Sequence, residues 1–137
     1  MPNKVVVHYL DHRIDRGYTS DFRPDKPLFH LIVKENDKEK SVPVKVANLK
    51  AVFFVKELKG KSRTRPVKKK IFENIEDKNL IGKKVKIEFN DGEVLYGLTM
   101  GYSPQRQGFF FSPIDLESNN ERIFAVLTAI KDITFYD

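Results

Sequence analysis

The chain of 137 residues contains no cysteine and no tryptophan. Without cysteine it can form no disulfide, no thiolate nucleophile and no cysteine-ligated zinc or iron–sulfur site. It also has no apolar run near the roughly 18 residues that a membrane span needs. Its start, MPNKVVVHYL, lacks the long apolar segment of a signal peptide. These absences predict a cytoplasmic protein with no membrane partner.

The groups needed for catalysis are also scarce. No G-x-S-x-G motif and no phosphate-binding glycine loop occurs, and all three histidines lie in the first 30 residues. His8 and His12, near Asp11, are four residues apart across a strand end, and His30 has no acidic neighbour close in sequence. The sequence therefore predicts a protein that is not an enzyme, with no catalytic residues, no cofactor and no metal site.

The net charge of +6 is concentrated in one stretch. Residues 56–70 hold eight basic residues and one acidic residue, a net +7, which leaves about −1 for the rest of the chain. Such a stretch contacts phosphates through counterion release in nucleic-acid binding, but it is also typical of a solvated linker. Both interpretations stay open. The candidate nucleic-acid contacts are Lys59, Lys61, Arg63, Arg65, Lys68, Lys69 and Lys70.

The sequence repeats itself after about eighty residues. Lys4 to Phe29 aligns with Lys84 to Phe109 without a gap, with seven identities in 26 positions. Chance gives about one or two at ordinary residue frequencies. The ends of the copies match as well, Val42 to Phe54 with Ile123 to Phe135. Because units of this size are near the lower limit for a stable core, we expect the two halves to pack against each other.

Each copy shows strand periodicity and turn signals, with no helical periodicity. Asn90-Asp91-Gly92 separates two alternating apolar runs, which predicts a hairpin with a type I′ turn. Gly17 and Gly97 are matched in the repeat and follow apolar stretches, where a small barrel commonly needs a bulge or a sharp bend.

These patterns predict an all-β protein of two tandem five-stranded small barrels, related by the internal repeat. The first barrel is placed at residues 1–56 and the second at 83–137, with a basic, partly flexible connector at 57–82. Apolar residues at helical spacing between Lys69 and Leu80 favour a short helix in that connector.

A proline-containing loop follows the second strand of each copy, residues 21–27 and 101–108. Loops on a rigid barrel are common interaction sites, so equivalent polar residues of the two loops form a candidate surface. A polar turn in the second copy adds three residues to it. The predicted loop interaction surface consists of Arg23, Lys26, Gln105, Arg106, Asn119, Asn120 and Arg122.

The segment VKIEFNDGEVLYG, Val85 to Gly97, resembles the first motif of Sm and Hfq-like barrels and is also similar to SH3-like barrels. The uridine-binding residues of Sm and Hfq-like proteins do not carry over, because Leu98 to Ser103 and Glu121 to Phe124 occupy those places. A PilZ-type cyclic dinucleotide receptor needs R-x-x-x-R, whereas this chain has Arg63-Thr-Arg65.

A closer resemblance covers almost the whole chain. The patterns GYTSDF, GYSPxRxGFF and SNNERxF, read here from Gly17, Gly101 and Ser118, are similar to those of an uncharacterised bacterial family of tandem small β-barrels. That family includes stand-alone chains and segments of larger signalling-type proteins. It has no assigned reaction, so the resemblance implies a fold and no chemistry.

The leading functional hypothesis is a non-enzymatic regulatory or adaptor module that binds a protein through loops or strand edges. The first alternative is RNA or single-stranded nucleic-acid binding through the basic connector and barrel loops. Stacking would then fall to Tyr18, Phe22, Tyr102 or Phe109. The second alternative is cyclic dinucleotide sensing of the PilZ type, although its motif is absent. Oligomeric state stays open, because the last strand lies at the terminus and offers an unpaired edge.

Overall fold

The computed structural model describes residues 2–58, 82–114 and 120–136. These residues form β-strands, loops and two short 3-10 turns, so the predicted all-β class is confirmed. The predicted connector helix and all seven candidate nucleic-acid contacts fall in 59–81, outside the described residues. The strands of the first half are β1 Asn3–Tyr9, β2 Ile14–Thr19, β3 Leu28–Glu35, β4 Lys38–Lys45 and β5 Leu49–Val55. Those of the second half are β6 Lys83–Phe89, β7 Val94–Thr99, β8 Gly108–Pro113, β9 Asn120–Val126 and β10 Ile130–Tyr136.

The ten strands form one antiparallel sheet in the order β10-β6-β7-β8-β9-β5-β1-β2-β3-β4. Each half has the same internal order, in which its fifth strand lies beside its first. The halves join where β5 pairs with β9, with Val52 opposite Phe124 and Phe54 opposite Arg122. The sequence predicted two separate barrels, whereas the described strands make a single sheet that runs through both halves. Closure of each half into a barrel stays a prediction.

Two apolar cores flank the β5–β9 joint, and both joint strands serve both cores. On β5, Val52 and Phe54 face the first core, while Ala51 and Phe53 face the second. β9 alternates in the same way along residues 123–126. Since neighbouring residues of a strand point to opposite faces, an uninterrupted apolar strand is suited to lie between two cores. The expected packing of the halves against each other is therefore made by shared strands.

The hairpins differ from the type I′ turn that the sequence predicted at Asp91-Gly92. Gly92 has a φ of 94°, but Asp91 is not among the residues with positive φ, which a type I′ turn requires. The Phe89 N–H donates to Glu93 O at 2.8 Å and the Gly92 N–H donates to Phe89 O at 2.9 Å. This is a three-residue loop, a type I turn followed by one left-handed residue. His12, with a φ of 74°, takes that last position in the first hairpin.

The bend or bulge predicted at Gly17 and Gly97 stays a prediction, but the structure shows what glycine provides at these positions. Neither has a positive φ. A Cβ on Gly17 would lie 2.4 Å from the backbone oxygen of Ile32, and one on Gly97 would lie 2.5 Å from that of Ser112. Glycine is needed there because the next strand passes too close for any side chain.

A buried cation links the two halves beside the joint. Lys50 lies at a β-bulge, where the pairing of β1 with β5 shifts register, and its side chain is only 11% exposed. Its Nζ donates to Asp91 Oδ2 at 2.7 Å and to Glu93 Oε1 at 2.5 Å. Burial lowers the pKa of Lys50, but the two hydrogen bonds and carboxylate charges outweigh it and raise that pKa above its ordinary value. The hydrogen bond from Lys50 in turn lowers the pKa of Asp91.

Replacing Lys50 with methionine should lower the free energy of unfolding by about 2 kcal/mol near pH 7, because it removes the cation that donates hydrogen bonds to both carboxylates. The raised pKa of Lys50 means that its contribution is present below 10.5 and lost as pH rises through the higher folded value. The lowered pKa of Asp91 means that its contribution is present above 3.8 and lost as pH falls through the lower folded value. Chemical denaturation across this pH range measures the difference.

The matched control is Lys131→Met, since Lys131 aligns with Lys50 in the repeat. Lys131 is 65% exposed and lies 3.7 Å from Glu88, so its loss should change stability by less than about 0.5 kcal/mol. Equal effects of the two substitutions would show that the Lys50 ion pairs do not stabilise the joint.

Candidate functional site

The two proline-containing loops are built alike. The first, residues 20–27, connects β2 to β3, and the second, residues 100–107, connects β7 to β8. The Lys26 N–H donates to Arg23 O at 3.2 Å, and the Arg106 N–H donates to Ser103 O at 3.3 Å. These equivalent turns fix each loop on its strands, so both loops are presented by rigid elements.

The fold brings the two loops together, although they are eighty residues apart in sequence. Gln107 donates from Nε2 to the backbone oxygen of Pro24 at 2.9 Å and to that of Lys26 at 2.7 Å. The backbone oxygen of Gln107 accepts a hydrogen bond from the Leu127 N–H at 2.9 Å. One side chain thus ties the second loop to the first while its own backbone is held by the segment after β9.

An open cleft of about 670 Å³ lies between the two joined loops. Its lining consists of Arg23, Pro24, Asp25, Pro27, Gln105, Arg106 and Gln107. The structure thus collects three residues of the predicted loop surface, Arg23, Gln105 and Arg106, in one cleft. A fourth, Lys26, lies in the first loop and supplies a carbonyl to Gln107. Gln107 was not among the residues predicted for the loop surface. In the sequence, the only indication that it could link the loops is that its donor side chain aligns with Pro27.

The cleft carries positive charge on its second side. Arg23 is paired with Asp25, with Nη2 3.1 Å from Oδ2, so those two charges balance. Within the residues that the structure describes, the side chains of Lys26 and Arg106 form no ion pair. Guanidinium and amide groups donate hydrogen bonds to carbonyl and carboxylate oxygens. The cleft can therefore bind a segment that presents such oxygens.

The remaining members of the predicted loop surface lie elsewhere. Asn120 and Arg122 are in the first part of β9, whereas the cleft adjoins the far end of that strand at Leu127. The guanidinium carbon of Arg122 lies 4.4 Å from the ring centre of Phe54 and 4.5 Å from that of Phe110, so this residue packs at the joint. Asn119 lies outside the described ranges.

A hydrogen-bonded contact between a histidine and an aspartate at the base of the first loop was not expected from sequence. His30 Nδ1 lies 2.7 Å from Asp21 Oδ2, and the His30 N–H donates to Asp21 Oδ1 at 2.9 Å. Thr19 Oγ1, on a fully buried residue, donates to the same carboxylate at 3.1 Å. Burial raises the pKa of Asp21, but these hydrogen bonds outweigh it and lower that pKa overall. These contacts fix the start of the loop to β3.

The other histidines occupy structural positions. The His8 ring lies 4.4 Å from that of Phe53, and burial lowers the pKa of His8. His12 occupies the left-handed position of its turn. Among residues 2–58, 82–114 and 120–136, no three histidine, aspartate or glutamate side chains cluster as a metal site would require.

Two of the four aromatic residues considered for base stacking, Phe22 and Phe109, pack in or against the cores. Phe22 packs with its ring centre 5.1 Å from those of Phe29 and Phe124, and Phe109 is 2% exposed. Tyr102 is 37% exposed and lies 5.3 Å from Phe135, ring centre to ring centre. Tyr102 and Phe135 line a second cavity, of about 480 Å³, together with Gly82, Lys83, Thr99 and Met100.

Residues 1–136 match a family of unknown function, DUF6982. The chain belongs to that family. This agrees with the resemblance to a family without an assigned reaction, while the likeness to Sm-like and SH3-like barrels stays a prediction. No curated protein and no solved structure matches the chain. Among the described residues, no helix is long and apolar enough to cross a membrane.

Proposed function

We propose that this DUF6982 chain is a non-enzymatic regulatory or adaptor module that binds a protein partner in the cleft between its two proline-containing loops. The observation that carries the proposal is the pair of hydrogen bonds from Gln107, which makes one surface from two loops. Arginine is enriched at protein interfaces, and proline-rich loops lose little entropy when they bind. Arg106 and Lys26 favour a partner segment that carries a carboxylate.

The fold proposed for each half is a small barrel of the Sm-like or SH3-like type, joined by the connector at 57–82. Two features support it: the same strand order in both halves and the close passage of the third strand over Gly17 or Gly97. Closing a five-stranded sheet into a barrel requires its strands to tilt and its two ends to approach each other, and a glycine at a close strand contact leaves room for that.

Substitution in the cleft should separate its role in binding from its role in stability. The double variant Arg106→Glu, Gln107→Ala should lower affinity for a purified partner by at least about tenfold, because it reverses one charge and releases the two loops. The free energy of unfolding should fall by only about 1 kcal/mol, the typical net loss for these hydrogen bonds. Titration calorimetry with a partner obtained by cleft-directed crosslinking measures the affinity.

The control is Lys38→Glu, which makes the same kind of charge reversal on the exposed strand β4, away from the cleft. It should leave affinity within about twofold. If both variants bind the partner as the unchanged chain does, the cleft is not the binding surface.

The alternative of nucleic-acid binding is favoured only by the net +7 in residues 56–70. It is tested by polyuridine binding at low and physiological salt. A steep loss of affinity with salt is expected for that mode. Replacing Arg63, Arg65, Lys68, Lys69 and Lys70 with glutamine should abolish it and leave protein binding in the cleft unchanged. Salt-sensitive RNA binding without any cleft-dependent protein partner would favour the alternative over our proposal.

A further inference from the structure

The last strand has an open edge that its counterpart in the first half does not have. In the sequence repeat β10 corresponds to β5, and Phe135 corresponds to Phe54. β9 covers β5, so that Phe54 is 3% exposed, whereas Phe135 is 42% exposed. Exposed apolar groups lie beside Phe135, among them Tyr102 and Met100, which is 81% exposed. Among the strands that the structure describes, none covers in the second half the surface that β9 covers in the first.

The backbone groups on this edge follow from the pairing of β6. The Phe89 N–H donates to Glu93 O across the β6–β7 hairpin. The backbone N–H and C=O groups of Ile87 and Val85 are therefore also directed toward β7, and those of the even-numbered residues of β6 are directed toward β10. Thr134 is opposite Lys86 in the β6–β10 pairing, so its backbone N–H and C=O groups are directed toward β6. Ile133 and Phe135 direct their N–H and C=O groups outward, and within the described residues these groups have no partner.

The opposite edge of the sheet is closed to pairing. The Val46 N–H donates to Pro27 O, so the backbone N–H and C=O groups of Val44 and Val42 in β4 are directed toward β3. The backbone of Pro43 is then directed away from the sheet. Proline has no N–H, and β4 also carries Lys38, Lys40 and Lys45 on an exposed strand. Prolines and lysines of this kind protect edge strands against added strands. Of the two edges of the sheet that residues 2–58, 82–114 and 120–136 form, only the β10 edge is therefore suited to pairing.

We propose that β10 pairs antiparallel with β10 of a second copy, about a two-fold axis at Thr134. In this register Ile133 of each copy lies opposite Phe135 of the other, and all four outward N–H and C=O groups of each edge are satisfied. Thr134 faces its own counterpart, and Asp132 lies opposite Tyr136, so no like charges meet. On the face of the sheet that packs on the core, Ile133 of one copy contacts Phe135 of the other. This contact covers apolar surface in the way that β9 covers β5. Because β4 is closed, the assembly stops at two copies.

Site-specific crosslinking tests the axis directly, because the chain has no cysteine of its own. Thr134 would lie in a pair without hydrogen bonds, where Cα atoms are about 4.5 Å apart, within disulfide range. Oxidised Thr134→Cys should therefore give at least about tenfold more disulfide dimer than Ser41→Cys on the closed edge. Equal crosslinking of the two variants would overturn the proposal.

A second variant tests the hydrogen bonds of the edge. Phe135→Pro removes an outward N–H and leaves the inward ladder to β6 intact, as Pro43 does in β4. Sedimentation should show a species of twice 16.0 kDa for the unchanged chain. The dissociation constant should rise about tenfold or more in Phe135→Pro and stay unchanged in Ser41→Pro. A dimer unaffected by Phe135→Pro, or a monomer at all concentrations, would refute pairing through β10.

Circular dichroism on each variant confirms that the sheet is retained. The outcomes are independent of the cleft, since loss of partner binding in the Arg106 and Gln107 variant does not alter β10. A foreign peptide that binds at Phe135 while the chain stays monomeric would also contradict the proposal.

Discussion

Replacing Phe124 with alanine should lower the free energy of unfolding by about 4 kcal/mol. Phe124 is fully buried in β9 and belongs to the second half, yet its ring lies 5.1 Å from those of Phe22 and Phe110 and it faces Val52 of the first half. Its removal leaves a cavity in the first core, where the surrounding strands are fixed by their ladders and cannot collapse into it. Chemical denaturation followed by circular dichroism gives the value.

The location of Phe124 adds a second expectation. Because β5 and β9 each contribute to both cores, the destabilised protein should still unfold in one transition. Leu10→Ala, at a side chain that is 46% exposed, is the control and should cost less than about 1 kcal/mol. Two separate unfolding transitions, or a loss no greater than that of Leu10→Ala, would show that the halves are stable without the shared strands.

The substitution Gly17→Ala should cost about 3 kcal/mol, at the upper end of the usual range for overpacking. The new Cβ would lie 2.4 Å from the backbone oxygen of Ile32 and 3.1 Å from Cδ1 of Leu31. The oxygen is part of β3 and cannot move away unless β2 and β3 separate. Thermal unfolding of the variant should show a clearly lower Tm.

The matched control is Gly101→Ala, where the added Cβ meets nothing within 4 Å and φ is not positive. Gly101→Ala should leave the free energy of unfolding unchanged or slightly higher, because alanine reduces the conformational freedom of the unfolded chain. A similar loss for both variants would show that the contact with β3 is not the reason for the penalty. A loss confined to Gly17→Ala identifies the close approach of β3 as its cause.

Local features of this chain were predictable because they depend on neighbouring residues. The alternation around Asn90-Asp91-Gly92 predicted a hairpin at the right place, since apolar periodicity and turn residues act over a few positions. The turn type was wrong, because Asp and Gly there can adopt either a type I′ turn or a three-residue loop. His12, which has no glycine-like freedom, takes the same left-handed position in the first hairpin.

Contacts between distant residues could not be predicted. The apolar run at residues 51–55 of β5 shows that both faces of the strand are buried, but not that β9 is its neighbour. Lys50 gave no sign in the sequence of its two carboxylate partners, and Gln107 gave none of the carbonyls of Pro24 and Lys26. These strand and hydrogen-bond partners depend on which of several compatible strand edges and acceptors come together when the chain folds. Only the tertiary structure shows which of them do.

The sequence by itself determined the all-β class and the positions of the hairpins, because strand periodicity and turn chemistry are local properties. Only the tertiary structure decided that β5 and β9 join the halves, that two loops make one cleft and that β10 keeps an open edge. These depend on contacts between residues far apart in sequence, where many registers satisfy the same local pattern and only the packing of both cores selects one.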